Sequence, residues 1–400
     1  MRLAGRHPDV VVVGAGMIGA ACAEALTRRG ADVAVLDRGA LASGTSASGE
    51  GNVLVSDKEP GAELVLAQAS IRRWPHLLAE LRAELGPAAA EAEWEAKGGL
   101  VAALDAADGT ALTRFAAEQR TAGIDARPVS AAEAAELEPY LHPDPAAAVW
   151  YPEDGQLQPV LAATTLLAAV RARGGRLLPG TPVTGVDYTR DGRVRGVRTP
   201  DGPIGCAAVV NACGPWSGAF AAAAGAPLAI LPRRGNVLVT APVPPGTVRH
   251  KVYDADYVGA VASGEADLST STVVESTRAG TVLIGSSRER AGFDDTIRVE
   301  VLRAMAAKAV RLFPVLAGVG IMRAYGGFRP YAPDHLPVIG PDPRHPGLWH
   351  ATGHEGAGIG LAAATGDLLA ELYTGAEPHV PPEPYRVDRP GIAETAEVPA

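Results

Sequence analysis

Four residues near the start of the chain, Gly14, Gly16, Gly19 and Asp37, have the types and spacing to hold a diphosphate and a ribose. A Gly-x-Gly-x-x-Gly turn bends tightly, lets backbone N–H groups approach a pyrophosphate, and lets a helix pack closely on a strand. The N-terminus of that helix adds a partial positive charge. Asp37 can accept hydrogen bonds from a ribose diol, provided that a strand delivers it beside the turn. The elements such a site needs are all written in order. Val10 to Val13 is a β-branched run suited to a parallel strand buried on both faces. A helical segment opens at Met17 and Ile18, and Asp32 to Leu36 forms a second strand that ends at Asp37. A dinucleotide-binding βαβ unit is the expectation, with NAD and FAD both open on the motif alone.

The segment after Asp37 bears on that choice. Arg38 leads into a small, hydroxyl-rich loop, Ser43-Gly44-Thr45-Ser46-Ala47-Ser48-Gly49, whose side chains and amides could line the path of a long diphosphate toward a ring system. Four further blocks fall later in the chain: Val209 to Ser217, containing Gly214 and Trp216; Gly326 to Pro330, containing Gly327 and Arg329; Pro337 to Gly340; and Ala351 to Gly360, containing Gly353, His354, Glu355, Gly356, Gly358 and Ile359. With these blocks almost the whole chain resembles the D-amino-acid oxidase-like flavoproteins, a family that includes glycine oxidase, sarcosine oxidase and D-amino-acid dehydrogenases. Within it, Gly285 to Glu289, Ala291 to Asp294 and the Gly-His-Glu-Gly at Gly353 are most similar to the branch of hydroxyproline or proline dehydrogenases, opine oxidases and the flavin subunit of hydrogen cyanide synthase.

The resemblance implies FAD, with Val183 contacting adenine through its backbone. Some relatives attach FAD through a cysteine near the position of Gly327, and Cys213 lies elsewhere in the sequence, so non-covalent FAD is implied. It also implies an amino-acid substrate. Such a substrate presents a carboxylate, for which a planar, bidentate guanidinium is the best anchor. Arg329 stands where glycine oxidase and its relatives place their carboxylate-binding arginine. A second arginine of those relatives is replaced by Gly356. His354 and Glu355 could approach flavin or substrate, or cap the closing helix. Tyr257 and Tyr253 stand where a second domain could cover the flavin, or form a buried aromatic wall, and Glu50 and Asn52 come just after the hydroxyl-rich loop with roles left open.

Composition narrows the alternatives. A net charge of −9 argues against a nucleic-acid partner, which needs clustered Lys and Arg, and Arg233-Arg234 is too short a run to reverse this. Three cysteines without Cys-x-x-Cys spacing point to reduced thiols, no metal site and a cytoplasmic location. The N-terminus enters its first strand too early for a signal peptide, and no apolar stretch is long enough to span a bilayer. At 47% hydrophobic and 20% charged residues, the chain can build its own core without covalent staples.

The expected fold is α/β: a Rossmann-like FAD-binding domain from 1–60, 145–230 and 320–400, and an α+β substrate domain from 61–144 and 231–319 built on a mostly antiparallel sheet. Ala62 to Leu85 carries an apolar helical stripe with Trp74 in its core. Gly98 to Leu104 begins a strand, and Thr110 to Thr121, Ala131 to Glu138 and Pro159 to Arg173 are helical. A strand is expected near Thr181 to Val186, within a hairpin turning at Asp191-Gly192. Asn236 to Thr240, Ser271 to Val274 and Thr281 to Gly285 are β-rich before a helix from Thr296. The Ala-rich tracts Ala88 to Ala92 and Ala219 to Ala224 read as helices. Leu348 to Thr352 and Ile359 to Tyr373 close the chain as strand and helix, the helix N-terminus aimed at the flavin.

The leading functional expectation is oxidation of the C–N bond of a small or cyclic amino acid by hydride transfer to flavin N5, with hydrolysis of the imine. Oxygen, a quinone or a partner subunit would accept the electrons. A flavin subunit within a homo- or hetero-oligomer, a nicotinamide-dependent dehydrogenase and a flavin-dependent modifier of RNA or peptide are the rivals.

Overall fold

A computed structural model describes residues 7–256 and 268–393. The chain opens with β1 (Val10–Val13), α1 (Met17–Arg28), β2 (Val33–Leu36), β3 (Asn52–Val53) and α2 (Ala62–Leu85). It continues through β4 (Gly99–Ala103), α3 (Ala106–Thr121), β5 (Arg127–Val129), α4 (Ala131–Leu137), β6 (Ala147–Tyr151), β7 (Gly155–Gln156), α5 (Pro159–Ala172) and β8 (Arg176–Leu178). Next come a small meander, β9 (Gly185–Tyr188), β10 (Val194–Thr199) and β11 (Gly202–Gly205), then β12 (Ala208–Asn211) and α6 (Ser217–Ala223). The last third holds β13 (Leu231–Thr240), β14 (Lys251–Asp254), β15 (Ser269–Ser276), β16 (Val282–Arg288), α7 (Val299–Leu312), β17 (Ile321–Tyr331), β18 (Val338–Pro341), β19 (Leu348–Thr352) and α8 (Gly358–Thr374).

Two large sheets organise these elements. The first has the order β18-β19-β12-β1-β2-β8, parallel except at its β18 edge. Alternate side chains of β1 enter different cores, as the two-residue period of a strand requires. Val10 and Val12 pack among the helices α1, α2, α5 and α8, while Val11 and Val13 pack toward the β9–β11 meander. A strand buried on both faces needs a continuous run of valines, and that is the run present.

The second sheet has the order β17-β13-β16-β15-β14-β4-β6-β5 and is antiparallel except between β14 and β4. One of its faces is covered by α7, whose Val301, Met305, Ala309 and Leu312 recur at helical spacing and meet Val252, Val274 and Ile284. Both β6 and β17 pair into this sheet, so its strands draw on segments beyond 61–144 and 231–319. The mixed architecture, a Rossmann-like sheet beside a mostly antiparallel one, agrees with the expectation.

Two local expectations fail. The tract from Ala88 to Ala92 is turn and irregular chain, because Gly86 at φ +85° ends α2, and Ala92 offers its carbonyl to the Gln158 amide instead. Tertiary pairing outweighs the helix propensity of alanine there. The strand expected near Thr181 to Val186 begins only at Gly185, as β9. The Thr181 amide donates to the Asp37 carbonyl at 2.7 Å, which ties this segment to the end of β2.

Candidate functional site

The two sheets meet around a cavity of about 740 Å³ that runs from Asp37 and Val183, past Thr45, Ser46 and Ser48, to Arg329 and His354. At its first end, Gly14 adopts φ +109°, and a Cβ there would stand 2.3 Å from the Ala212 carbonyl oxygen. A Cβ at Gly19 would stand 1.9 Å from the Gly14 oxygen, so α1 can rest on the turn only because both are glycine. Gly19 therefore serves packing and does not line the cavity. Gly16 leaves the N-terminus of α1 with no side-chain cap, and the Met17 amide donates to Ser46 Oγ at 2.8 Å. Asp37 is held by the amides of Ala15 (2.7 Å) and Gly39 (2.8 Å). Each of its carboxylate oxygens keeps lone pairs for a further donor.

The hydroxyl-rich loop is a short 3₁₀ turn, Thr45–Ser48. Thr45 Oγ1 donates to the Phe328 carbonyl at 2.7 Å, and a Cβ on Gly327 would overlap Ser48 Cβ at 2.5 Å, so loop and β17 close on each other. Arg38 lies over the Trp216 ring, with its guanidinium carbon 4.1 Å from the ring centroid. Trp216 in turn stacks on Phe293, with centroids 5.4 Å apart. Cys213, on the strand expected to deliver Gly214 and Trp216 to the cofactor, also lines the cavity. Its thiol reaches the Val13 carbonyl, and burial pushes its pKa up to about 12, far from the thiolate that covalent attachment requires.

The second end is built on β13, β16 and β17. Arg329 on β17 donates from Nη1 to the Ser287 carbonyl at 2.9 Å. A Cβ at Gly235 would lie 2.1 Å from the same nitrogen. The guanidinium thus rests directly on the backbone of β13. An isolated glycine inside a strand is the usual mark of such a close approach, and Gly235 was legible on that ground. Gly356 lies against the Arg329 side chain, with a Cβ position 3.4 Å from Nε.

His354 is buried, its Nε2 lies 3.0 Å from Thr365 Oγ1, and its Nδ1 has no hydrogen-bond partner among the described residues. Burial pushes its pKa down to about 3, so the ring is neutral at physiological pH. Glu355, at φ +46°, pairs with Arg233 at 2.5 Å and with His335 Nδ1 at 3.3 Å. Burial raises its pKa, but the His335 hydrogen bond and the charges of Arg233 and Arg288 win and hold it at about 2. Neither side chain caps α8, whose N-cap is Ala357 without a side-chain hydrogen bond.

The candidate residues mostly converge. Gly14, Gly16, Met17, Ile18, Asp37, Arg38, Thr45, Ser46, Ser48, Gly49, Val183, Gly214, Trp216, Gly327, Arg329, His354, Glu355, Gly356, Gly358 and Ile359 all line the cavity. Gly353 does not; at φ +79° it packs against Ile230 and Ala332. Tyr257 lies outside the described residues. Tyr253 is fully buried with its hydroxyl on Ser56, away from the cavity. Among the described residues no group of His, Cys, Asp and Glu could hold a metal, and no helix is long and apolar enough to cross a membrane.

The cavity suits a long dinucleotide: two helix N-termini without side-chain caps, α1 and α8, contribute lining residues, and glycines replace Cβ atoms along its floor. Comparison with known proteins agrees. At 32% identity the chain is similar to glycine oxidase of Pseudomonas putida, over 94% of this chain and 97% of that one. It is 29% identical to the hydrogen cyanide synthase subunit HcnC of Pseudomonas aeruginosa, over 92% of each. The structure superposes on glycine oxidase from Geobacillus kaustophilus with a TM-score of 0.86 at 27% identity, covering 96% of this chain and 99% of that one. It superposes on L-proline dehydrogenase from P. horikoshii with a TM-score of 0.84 at 25% identity, covering 95% and 97%. A sequence model of the family described as DAO, FAD-dependent oxidoreductase, matches residues 9–372, and the chain belongs to that family of FAD-dependent oxidoreductases.

Proposed function

We propose that this enzyme oxidises the C–N bond of a small or cyclic amino acid of the glycine or proline type. The observation that carries the reading is Arg329, a guanidinium seated on glycine backbone in the cavity that Asp37 also lines. When bound, FAD supplies the two-electron acceptor for the oxidation. The residues of the chain then have separable tasks. Arg329 takes the substrate carboxylate and fixes which carbon faces the ring. The uncapped N-terminus of α8 stabilises negative charge that develops beside it. Neutral His354 walls the site without adding a charge, and Glu355, already paired with Arg233, holds the turn before α8 in place.

In this reading the β1-containing sheet and its helices form the FAD-binding domain, and the eight-stranded sheet forms the substrate domain. FAD is retained without a covalent bond. Anaerobic addition of glycine, L-proline, hydroxyproline or a small D-amino acid should bleach the flavin; failure of the whole panel would remove the proposal.

A second reading has a specific support. One relative is a subunit of hydrogen cyanide synthase. Phe293, 45% exposed, stacks on Trp216 and meets Phe328 edge-on, so these rings connect the cavity to the surface. In that reading the chain passes electrons to a partner subunit, and isolated protein would reduce a dye only when the partner is restored.

A further inference from the structure

Glu50 lines the cavity with its carboxylate against β16, the strand whose Ser287 carbonyl accepts from Arg329. Its Oε1 is buried and has no hydrogen-bond partner among the described residues. A buried carboxylate oxygen left unpaired is costly, so such an atom is expected to meet a donor when the site is filled. The rest of the side chain is held in place. Asn52 Nδ2 donates to Glu50 Oε2 at 3.4 Å, and the orientation of that amide is set by buried Lys251, which donates to Asn52 Oδ1 and also pairs with buried Glu275.

The position of Glu50 relative to Arg329 defines what fits between them. The Glu50 carboxylate lies directly against Gly285, where a Cβ would meet Oε1 at 1.9 Å. Arg329 bonds the carbonyl of Ser287, two positions along the same strand. Acid and guanidinium thus stand against neighbouring positions of β16, and both line the cavity. A small ligand that carries a cation and an anion on adjacent groups can meet both. An α-amino acid zwitterion is such a ligand.

We propose that Glu50 is the counter-charge for the substrate amine. It makes the site selective for a carboxylate that bears a protonated nitrogen on the adjacent carbon. The proposal rests on the reading of Arg329 as the carboxylate anchor. Glu50 and Arg329 therefore form a two-point ruler, with Asn52 and Lys251 as positioning residues behind it. Neither Gly285 nor Gly235 tolerates a side chain, which keeps both ends of the ruler against the sheet.

The test uses matched ligands that differ only at the nitrogen: glycine against glycolate, and L-proline against tetrahydrofuran-2-carboxylate. Each is titrated calorimetrically into dithionite-reduced holoenzyme under argon, where no turnover occurs. Wild type should bind the amine member of a pair more tightly. Glu50→Gln should weaken the amine about tenfold to a hundredfold and leave the oxygen analogue unchanged or tighter. Glu50→Asp, which keeps the charge, should recover part of the difference. Equal weakening of both members by Glu50→Gln would mark a purely structural wall and overturn the proposal, as would an unchanged preference for the amine. Arg329→Ala should weaken both members alike. If it leaves the oxygen analogues untouched, the anchor reading fails while the amine preference of Glu50 can still be read.

Discussion

The two ends of the cavity are built in opposite ways. At the end around Gly14, the turn, the helix start and the Asp37 carboxylate come from one continuous stretch between Val10 and Asp37, whose strands pair directly with each other. At the substrate end, Glu50, Gly235, Gly285 and Arg329 come from four distant segments and meet only because β13, β16 and β17 are neighbours. The first end is rigid because its glycines are jammed against backbone, and the second because charges are locked by other charges. Damage should therefore cost cofactor at one end and substrate selectivity at the other.

The largest effect is expected at the first end. Gly16→Val places a branched side chain where Ser46 Oγ already lies 3.1 Å from the Cβ position, in the path of the pyrophosphate. The protein should be recovered as apoprotein, with flavin absorbance near background and flavin-dependent activity abolished. Gly14→Ala, with φ +109° and an overlap with Ala212, should lose flavin and in addition about 2 kcal/mol or more of stability. Full flavin occupancy in Gly16→Val would erase the contrast between the two ends.

Next in size is Arg329→Ala, which should leave flavin content near wild type. Truncating one partner of a buried charge pair is worth about 2 to 5 kcal/mol, or roughly 30-fold to several thousandfold in flavin reduction by the best amino acid. Arg329→Lys should fall between, since it keeps charge and loses the fork. Stopped-flow reduction measures both, and normal kinetics in the alanine variant would place the carboxylate elsewhere.

Glu355 offers a smaller, pH-dependent effect. Its pKa is 4.5 ordinarily and about 2 in the fold, so between those values the unfolded chain binds more protons than the native one. The stabilisation, about 3 kcal/mol, is present above pH ~4.5 and lost as pH falls toward ~2. Urea melts across that window should be steeper with pH in wild type than in Glu355→Gln. Parallel curves would contradict the assignment of that pairing.

The smallest effect belongs to Cys213. With its thiol held protonated, Cys213→Ser should change neither flavin content nor its release into the supernatant on acid precipitation. Flavin retained by the denatured wild type and freed by this variant would show a covalent link.

Legibility divides along the same line. A Rossmann turn can be read from sequence because its physics is local: a positive φ at Gly14, a helix start whose N-cap is a glycine and a valine run in a strand buried on both faces are all consequences of neighbouring residues. The helix from Ala62 to Leu85 was bounded from its apolar stripe alone for the same reason. Arg329 was found through resemblance, since nothing in a guanidinium's own sequence neighbourhood says which carbonyl it will rest on. Where long-range pairing competes with local preference, local preference lost. Ala88 to Ala92 gave up helix for a hydrogen bond from Gln158, and Thr181 stayed out of the expected strand with its amide on the Asp37 carbonyl at the end of β2.

The sequence by itself determined that a glycine turn, a helix start and a carboxylate would converge beside β1, because those parts lie within about thirty residues and are a matter of backbone geometry. Only the tertiary structure decided that Glu355 would be consumed by Arg233, that His354 would be buried and neutral, and that Glu50 would keep an unpaired oxygen against Gly285 in the cavity that Arg329 also lines. Charge and hydrogen-bonding capacity belong to a residue; whether they are spent or left for a ligand depends on which partners the packing of distant strands brings within about three ångströms.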